Sequence, residues 1–384
     1  MNILWINNKA SFGGGAEQYI YDTVKHLNEK GIKSSLLYDP NIEVDHDFLD
    51  VFESAFPLVL VKEQIQQISP DIIYIHQLHD YDVYKNILET DVKKIRFYHD
   101  HKLFCLREHK YTAINKKTCS CKTGLGCYAC LGFISKSENG IKLSSLAKLK
   151  KLQKLNSNLD GYIVASNYMK KHLTLHNFDE KKIFINQLYT NRDPNFKTKV
   201  NFTNSKTLLF VGQLLTGKGI DILIRAMKDI DSSYNLKIIG TGAQEEQLKQ
   251  YTQELGLDNR VEFIGRVKQE ELIYHYQEAY CLVVPSRTPE TFNLTGIEAL
   301  SAGLPVIAAN VGGITEWLRD DVNGLLFESN NAQDLSTRIN YLISNPHKHQ
   351  NYCFNAFKSM IYDFKSETHI NNLITTFNQY KIGA

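Results

Sequence analysis

The sequence contains no long hydrophobic run. No stretch approaches the ~18–20 consecutive apolar residues that a membrane-spanning helix needs. The apolar run near the start, in MNILWINNKASFGGG, is too short for a signal peptide. We therefore expect a cytoplasmic protein, either fully soluble or peripheral to the inner face of a membrane.

A strong net charge and low-complexity segments are also missing. The 44 Lys and Arg residues are nearly balanced by 42 Asp and Glu, which leaves a formal net charge of +2 and no whole-protein reason to expect nucleic acid as a partner. Hydrophobic residues make up 43% of the chain and charged residues 22%, as in globular proteins. At 384 residues, the chain is long enough for two domains.

Short apolar strands alternate with helical patterns along most of the chain, which predicts parallel α/β sheets with right-handed crossovers. The predicted strands include 2–6, 35–38, 72–76, 95–98, 161–166, 182–187, 207–211, 236–239, 261–264, 281–284 and 305–309. We predict a first domain over 1–195, a second over 206–363 and a terminal segment over 364–384. Residues 191–206, polar and with one Pro, are the predicted linker.

The stretch from Cys281 to Trp317 carries the most information. Residues 281–284 are apolar and end at Pro285, which predicts a buried strand. A polar loop with Glu290 follows, and then a helix that starts at Leu294 and ends before Gly303. Ligands of such a βαβ unit bind at the carboxyl ends of the strands.

Glu290 and Glu298 are separated by seven residues. If the chain is helical from Leu294, their carboxylates are roughly 8–12 Å apart, too far for the ~5–5.5 Å pair of a retaining glycosidase. A nucleotide sugar is long enough to contact both: Glu290 would accept from sugar hydroxyls and Glu298 from the ribose. The free amides at Asn293, Leu294 and Thr295 would then face the diphosphate. The alternative is that both glutamates are solvated residues beside an ordinary turn.

This stretch resembles the retaining glycosyltransferase family 4 of the GT-B fold. The matching positions are Pro285-Ser286, Glu290, Phe292, Glu298, Ala302-Gly303-Leu304-Pro305-Val306-Ile307, Gly312-Gly313 and Glu316. The resemblance implies two doubly wound, Rossmann-like α/β domains that face a cleft. It also implies transfer of a sugar from a nucleotide diphosphate sugar, with retention and without a catalytic metal, to a glycan, lipid-linked or other hydroxyl acceptor. The family usually has Gly where this chain has Asn293.

The family's functional positions can be carried over residue by residue. The resemblance implies that His99 lies near the reacting sugar, and His76 and His79 are weaker candidates for a site residue. It also implies that the terminal segment crosses back onto the first domain. Glu290 and Lys218 complete the expected catalytic set with His99. The expected donor-binding residues are Gly14, Gly15, Gly212, Gln213, Lys218, Arg266, Val267, Glu290, Thr291, Phe292, Asn293, Leu294, Thr295 and Glu298.

The loop over 212–219 nearly matches a phosphate-binding P-loop. The pattern requires Ser or Thr after the Lys to hold Mg²⁺, and here Gly219 follows Lys218, which argues against a nucleoside triphosphatase. We interpret Lys218 as a cation that contacts a diphosphate. Gln213 stands where the family usually has Arg. Either Arg287 or Arg192 supplies the missing charge, or donor affinity is weaker.

Five cysteines fall within 26 residues, namely Cys105, Cys119, Cys121, Cys127 and Cys130. The Cys127-x-x-Cys130 spacing is typical of zinc ligands, and Cys105 with Cys121, or with Cys119 as the alternative, would complete a four-thiolate site. We predict a structural zinc in a cysteine-rich insert, 105–130, of the first domain. A zinc ribbon for nucleic acid is the alternative, but the surrounding pattern does not predict its hairpins.

Residues 141–157 form a basic amphipathic pattern, with Leu and Lys each recurring at helical spacing. Such a helix can lie on anionic lipid, which would suit a lipid-linked acceptor. The alternative is that the leucines pack on the sheet and the lysines are solvated.

Two other functions remain open. A metal-dependent transferase of another fold would need an Asp-x-Asp motif, and 80–82 or 45–47 could supply one. A non-catalytic protein that binds nucleotide sugars is compatible with Gln213.

Overall fold

The structure is a computed structural model that describes residues 1–112, 116–137, 140–191 and 205–381. Contacts divide the chain into two compact units. The first comprises Met1–Glu108, Cys121–Gln187 and Ser366–Ala384, and the second comprises His109–Ser120 and Leu188–Lys365. Each unit has its own parallel sheet flanked by helices, so the predicted class of two Rossmann-like α/β domains is confirmed. Arg192 and nearly all of the predicted linker lie outside the described residues.

The first unit contains a seven-stranded parallel sheet in the order β3-β2-β1-β4-β5-β8-β9. Its elements are β1 (Asn2–Ile6), α1 (Gly15–Glu29), β2 (Lys33–Tyr38), α2 (His46–Leu49), β3 (Ser54–Pro57), α3 (Val61–Ile68), β4 (Ile72–Ile75), α4 (Tyr81–Leu88), β5 (Lys93–Phe97), α5 (Gly126–Ala129), β6 (Ile134–Ser137), β7 (Gly140–Leu143), α6 (Leu146–Asn156), β8 (Gly161–Val164), α7 (Asn167–Leu175) and β9 (Ile183–Ile185). The last helix of the chain, α14 (Ser366–Lys381), groups with this unit.

The inner strands of this sheet are covered on both faces. All four residues of β4 and of β8 are buried, as expected for apolar strands between two helical layers. The edge strand β3 is only partly buried and ends in Pro57, and its weak apolar signal explains why the sequence did not predict it. Because β1, β4 and β5 are neighbours, the residues that follow them meet at one edge of the sheet.

The segment after the cysteines differs from prediction. β6 and β7 form an antiparallel hairpin, which the sequence did not predict, and the expected helix over 141–157 starts only at Leu146, where Ser145 caps it by accepting from the amide of Lys148. Leu152 and Leu155 pack against the core, and the four lysines of α6 are exposed. The structure therefore supports the alternative in which this apolar face belongs to the core. No helix in the described part of the chain is long and apolar enough to span a bilayer.

The second unit contains a six-stranded parallel sheet in the order β12-β11-β10-β13-β14-β15. Its elements are β10 (Thr207–Val211), α8 (Ile220–Ala226), β11 (Asn235–Ile239), α9 (Glu245–Glu254), β12 (Val261–Gly265), α10 (Leu272–Glu278), β13 (Cys281–Val284), α11 (Leu294–Ser301), β14 (Val306–Ala309), β15 (Gly324–Phe327), α12 (Ala332–Ser344) and α13 (Pro346–Asp363).

The centre of this sheet matches the prediction closely. β13 has the predicted bounds, all its residues are buried, and it pairs with β10 on one side and β14 on the other. The switch in strand order lies between β10 and β13, and a topological switch of this kind opens a crevice at the carboxyl ends of the two strands. The loops that follow β10 and β13 therefore carry the candidate site.

Candidate functional site

Lys218 ends a short turn, Thr216–Lys218, after β10. The next residue, Gly219, has φ of +69°, and a Cβ at that position would lie 2.0 Å from the carbonyl oxygen of Pro285. Only glycine fits both the backbone conformation and the contact. This explains why no Ser or Thr can follow the lysine as in a P-loop, and it fixes the turn against the end of β13.

Arg287 holds this turn through hydrogen bonds within the second unit. Its guanidinium donates to both carboxylate oxygens of Asp221 at 2.6 Å and to the carbonyl of Thr216 at 3.0 Å, while its Nε donates to Asn330 at 2.8 Å. The Arg287 side chain is only 4% exposed. Its donors are used inside the unit and its charge is paired with Asp221, so we predict that Arg287 does not supply the charge lost at Gln213. The Gln213 side chain itself is exposed on the loop that starts at Gly212.

The Glu290 carboxylate lies in a nearly buried position, with 11% of its side chain exposed. Its Oε1 accepts from the Nζ of Lys218 at 2.8 Å and from the hydroxyl of Ser286 at 2.5 Å. Burial raises the pKa of this carboxyl, but Lys218 and Ser286 outweigh that effect and hold the pKa below its usual value. Glu290 is therefore an ionised acceptor group at neutral pH, fixed in one orientation.

The main chain of Glu290 is fixed as well. The amide of Gly313 donates to the carbonyl of Glu290 at 2.6 Å. Gly312 has φ of +59°, and a Cβ there would lie 2.3 Å from that same carbonyl oxygen. The two glycines thus allow the chain after β14 to pack directly on the Glu290 peptide.

Asn293 is the N-cap of α11 and adopts φ of +86°. Its side chain accepts from the amide of Gly296 at 2.8 Å. Asn is the residue besides glycine that best tolerates positive φ, and it also caps helices, which explains its presence where the family usually has Gly. Leu294 and Thr295 are the first two helical residues, so their amides have no intrahelical acceptor, as predicted for a site that faces a diphosphate.

The ring of Phe292 does not face a ligand. It is fully buried and packs near Phe364, and its carbonyl accepts from the indole of Trp317 at 2.5 Å. Any contact of Phe292 with a donor must therefore come from the main chain. Thr291, beside it, is partly exposed.

Glu298 lies on α11 and is partly exposed. It accepts from the side-chain amide of Gln269 at 2.9 Å and from the hydroxyl of Tyr276 at 3.0 Å. The sequence gave no sign of these two partners, because they belong to the segment around α10 and pair with Glu298 only through the fold. Arg266 and Val267 follow β12, with the arginine exposed and the valine partly exposed.

The first unit places its predicted residues at the edge formed by β1, β4 and β5. Gly14 is the N-cap of α1 and Gly15 its first residue. His99 follows β5 and lies 2.7 Å, Nε2 to Nδ1, from His76, which follows β4. Burial lowers the pKa of His99 to about 3, Asp100 opposes this shift and Arg96 adds to it. His99 is therefore a neutral imidazole at physiological pH.

The five clustered cysteines, the predicted zinc ligands, are not gathered into one group in the described part of the chain. All five are described, and among the described residues no group of three or more His, Cys, Asp or Glu side chains is placed to hold a metal ion. Cys127 and Cys130 are one turn apart as their spacing predicts, but the thiol of Cys130 points back to the carbonyl of Cys127 at 3.4 Å. Cys119 groups with the second unit and Cys121 with the first. The structure thus does not gather four of these thiols at one point among the described residues, and the structural zinc stays a prediction.

Residues 191–359 match the family model of the glycosyl transferases, group 1. The matched range lies within the second unit. It contains Lys218, Glu290, Asn293 and Glu298, the residues whose geometry is described above. The match does not extend to the first unit.

Curated relatives are similar to part of the chain. An uncharacterised glycosyltransferase of Methanocaldococcus jannaschii is 36% identical over 195 residues, which are 49% of this chain and 51% of that protein. A D-inositol 3-phosphate glycosyltransferase of Corynebacterium aurimucosum is 34% identical over 149 residues, 36% of this chain and 35% of that protein. The chain thus spans about half the length, or less, of the curated relatives it matches.

Solved structures resemble the whole chain. HepE from Anabaena in complex with UDP has a TM-score of 0.74 at 18% identity, covering 99% of this chain and 100% of its own. A sucrose-phosphate synthase from Thermosynechococcus elongatus has a TM-score of 0.74 at 19% identity and covers both chains fully. At these identities the likeness concerns the fold, and it confirms the predicted GT-B class.

Proposed function

We propose that this protein is a retaining glycosyltransferase that moves a sugar from a nucleotide diphosphate sugar to a hydroxyl acceptor without a catalytic metal. One observation carries the proposal. A lysine and a nearly buried, ionised glutamate meet at 2.8 Å where the loops after β10 and β13 come together. This pair provides a cation for a diphosphate and an acceptor for sugar hydroxyls within one small region.

The donor is assigned along the group 1 domain. Lys218 and the first amides of α11, at Leu294 and Thr295, contact the diphosphate, because both offer positive charge or N–H donors to an anion. Glu290 accepts from hydroxyls of the sugar, and Glu298 accepts from the ribose. Gly212 and Gln213 line the loop beside Lys218, and the base lies against the turn at Arg266 and Val267.

In the reaction, the bond between the anomeric carbon and the diphosphate oxygen breaks, and its electron pair leaves with the diphosphate. The acceptor oxygen forms the new bond to that carbon, and its proton passes to the departing phosphate. Lys218 and the helix amides stabilise the charge that develops on the leaving group. Each preorganised donor of this kind is worth roughly 10²–10³ in rate when removed singly.

For the first unit, we propose that His99 contacts the transferred sugar and that the turn at Gly14 and Gly15 lies against the donor phosphate and the acceptor. A neutral imidazole suits this role, because it can donate to or accept from a hydroxyl without adding charge. The acceptor class is a hydroxyl of a glycan or of a lipid-linked sugar. HepE has been solved with UDP-glucose, so uridine diphosphate sugars are the first donors to test.

The test is a thermal-shift panel of UDP, GDP and ADP sugars and the free nucleotides, each with and without EDTA. We expect one base family to raise the unfolding temperature equally in both conditions, since ligand at ~100 times its Kd adds about 2.7 kcal/mol. A shift that EDTA abolishes would support the metal-dependent alternative. Donor binding without turnover in any acceptor assay would support the binding-protein alternative, and no shift with any donor would refute the proposal.

A further inference from the structure

His76 lies directly beside His99 and has no role in the reaction as proposed above. The two rings approach to 2.7 Å, from Nδ1 of His76 to Nε2 of His99. His76 is 1% exposed and is stacked on Trp5, with ring centroids 5.1 Å apart and planes 15° from parallel. Phe97 lies parallel to it on the same sheet, at 6.0 Å and 9°. The His76 ring is thus held in one orientation.

Both imidazoles are neutral at physiological pH. Burial lowers the pKa of His76 well below its ordinary value, and the neighbouring His99 and Arg96 lower it further. The pKa of His99 is about 3 for the reasons given above. A neutral imidazole carries one N–H and one lone pair. A contact of 2.7 Å between two such rings therefore contains one proton, and one ring must be the donor.

The surroundings of His76 decide which ring donates. Its other nitrogen, Nε2, is buried and has no hydrogen-bond partner among the described residues. If His99 donated, the proton of His76 would have to be on Nε2, as a buried N–H without an acceptor. If His76 donates from Nδ1, Nε2 carries only a lone pair. Buried N–H groups without partners are rare in proteins, and leaving one unsatisfied costs ~1–3 kcal/mol.

We propose that His76 is a positioning residue whose Nδ1–H donates to Nε2 of His99 and thereby fixes His99 as the tautomer with its proton on Nδ1. For catalysis, this rests on the proposed function. The proton of His99 is then on Nδ1, so any oxygen that Nδ1 contacts must accept. His76 thus decides whether His99 donates or accepts at Nδ1.

The test combines NMR and kinetics on three variants of the full chain. In His76→Asn, the side-chain amide can stand near the position of Nδ1 and donate in its place. In His76→Phe, the ring can still stack on Trp5 but cannot donate. His79→Phe is the matched control, since Nε2 of His79 is also buried and unpartnered among the described residues, but His79 makes no hydrogen bond to His99 in that part of the chain and is itself partly exposed. Thermal unfolding of each variant establishes that it is folded.

Imidazole ¹⁵N shifts, assigned to His99 by comparison with His99→Gln, report the tautomer directly. In the wild type, His76→Asn and His79→Phe, we expect His99 to have an unprotonated Nε2 and a protonated Nδ1. In His76→Phe, we expect a mixture of the two tautomers of His99. The groups that orient metal-bound histidines are worth ~10–100-fold in activity. We expect kcat to fall by a similar factor in His76→Phe, with little change in the KM of the donor. His76→Asn should retain most of the wild-type kcat.

A wild-type His99 protonated on Nε2 would overturn the proposal, and so would an unchanged tautomer in folded His76→Phe. The NMR result does not depend on turnover. If the predicted tautomer is found but no donor binds, the glycosyltransferase function fails while the assignment of His76 holds. If transfer occurs but the tautomer is the other one, only this inference fails.

Discussion

Lys218 and Glu290, 72 residues apart in the chain, are joined by an ion pair of 2.8 Å between Nζ and Oε1. Ser286 donates to the same carboxylate oxygen at 2.5 Å. Since both donors face Oε1, they orient Oε2 and keep the carboxyl ionised. The pair organises the candidate site before any donor binds.

Replacing the carboxylate should abolish most transfer and leave the fold intact. In Glu290→Gln, the side chain can still accept from Ser286, but its amide cannot accept from a sugar hydroxyl. We expect kcat/KM to fall by roughly 10²–10³, with a small change in unfolding temperature because Lys218 can be solvated. Steady-state kinetics and a thermal melt test this. Glu246→Gln, at a glutamate whose side chain is 91% exposed, is the matched control. Near-normal turnover in Glu290→Gln would exclude Glu290 from the site.

The two hydrogen bonds from the Arg287 guanidinium to Asp221 should stabilise the Thr216–Lys218 turn. Arg287 itself should not contact the donor. Lysine can replace only one of these hydrogen bonds, so Arg287→Lys should lower the free energy of unfolding by ~1–2 kcal/mol, a value reduced by the partial exposure of Asp221. Donor affinity should fall only modestly, because Lys218 remains. Lys218→Ala should instead weaken donor binding strongly, and it should also lower the free energy of unfolding because the nearly buried Glu290 carboxylate loses its counter-ion. Denaturant unfolding and donor titration of both variants test this, and equal losses of affinity would place Arg287 on the diphosphate.

Gly219 and Gly256 have nearly the same backbone conformation. Comparing their alanine variants therefore separates the cost of a left-handed backbone from the cost of a steric clash. Gly219 has φ of +69° and Gly256 φ of +68°, but a Cβ meets Pro285 at 2.0 Å in the first case and nothing within 4 Å in the second. Gly256→Ala should cost ~1–2 kcal/mol for its left-handed backbone alone. Gly219→Ala should cost clearly more and also reduce donor binding, because the loop of Lys218 must move. Urea unfolding measures both, and equal costs would contradict the predicted collision.

Acid should destabilise the first unit through its buried histidines. Burial lowers the pKa of His369 to about 4, although a hydrogen bond to the carbonyl of Gln187 opposes the shift. The unfolded value is ~6.5, so unfolded chains bind more protons below that pH. The contribution to stability is complete above pH ~6.5 and is lost as the pH falls towards 4, on the order of 2 kcal/mol at pH 5.

Denaturant unfolding between pH 7.5 and 4.5 tests this prediction. His369→Gln should reduce the proton uptake that accompanies unfolding near pH 5 by about one proton per chain. His347→Gln, at an exposed histidine, is the matched control. A stability that does not vary with pH over this range would show that His369 is already protonated in the folded protein.

The parts of the fold that the sequence predicted are those with strong local signals. β13 appears with its predicted bounds because a buried parallel strand needs a continuous apolar run and Pro285 ends it. Glu290, Lys218 and the glycines around them lie on the predicted loops because each depends on nearby backbone geometry. The edge strand β3 and the hairpin of β6 and β7 have no such run, and both were missed.

Two expectations depend on contacts between distant segments. The Cys127 and Cys130 spacing describes one turn of chain, whereas a zinc site also needs thiols from other segments, and in the described residues the thiols are not gathered into one group. Arg287 looked like a cation for the donor because nothing in the sequence reveals that Asp221 occupies its guanidinium.

The sequence by itself thus determined the two α/β units, the loop that carries Glu290 and the glycine turn that carries Lys218, since apolar runs, glycines and prolines act on the local chain. Only the tertiary structure decided which side chains meet: Lys218 with Glu290, Arg287 with Asp221, Gln269 with Glu298, and His76 with His99. These contacts join residues from different strands and helices, and their distances depend on how the elements pack, which no spacing in the sequence encodes.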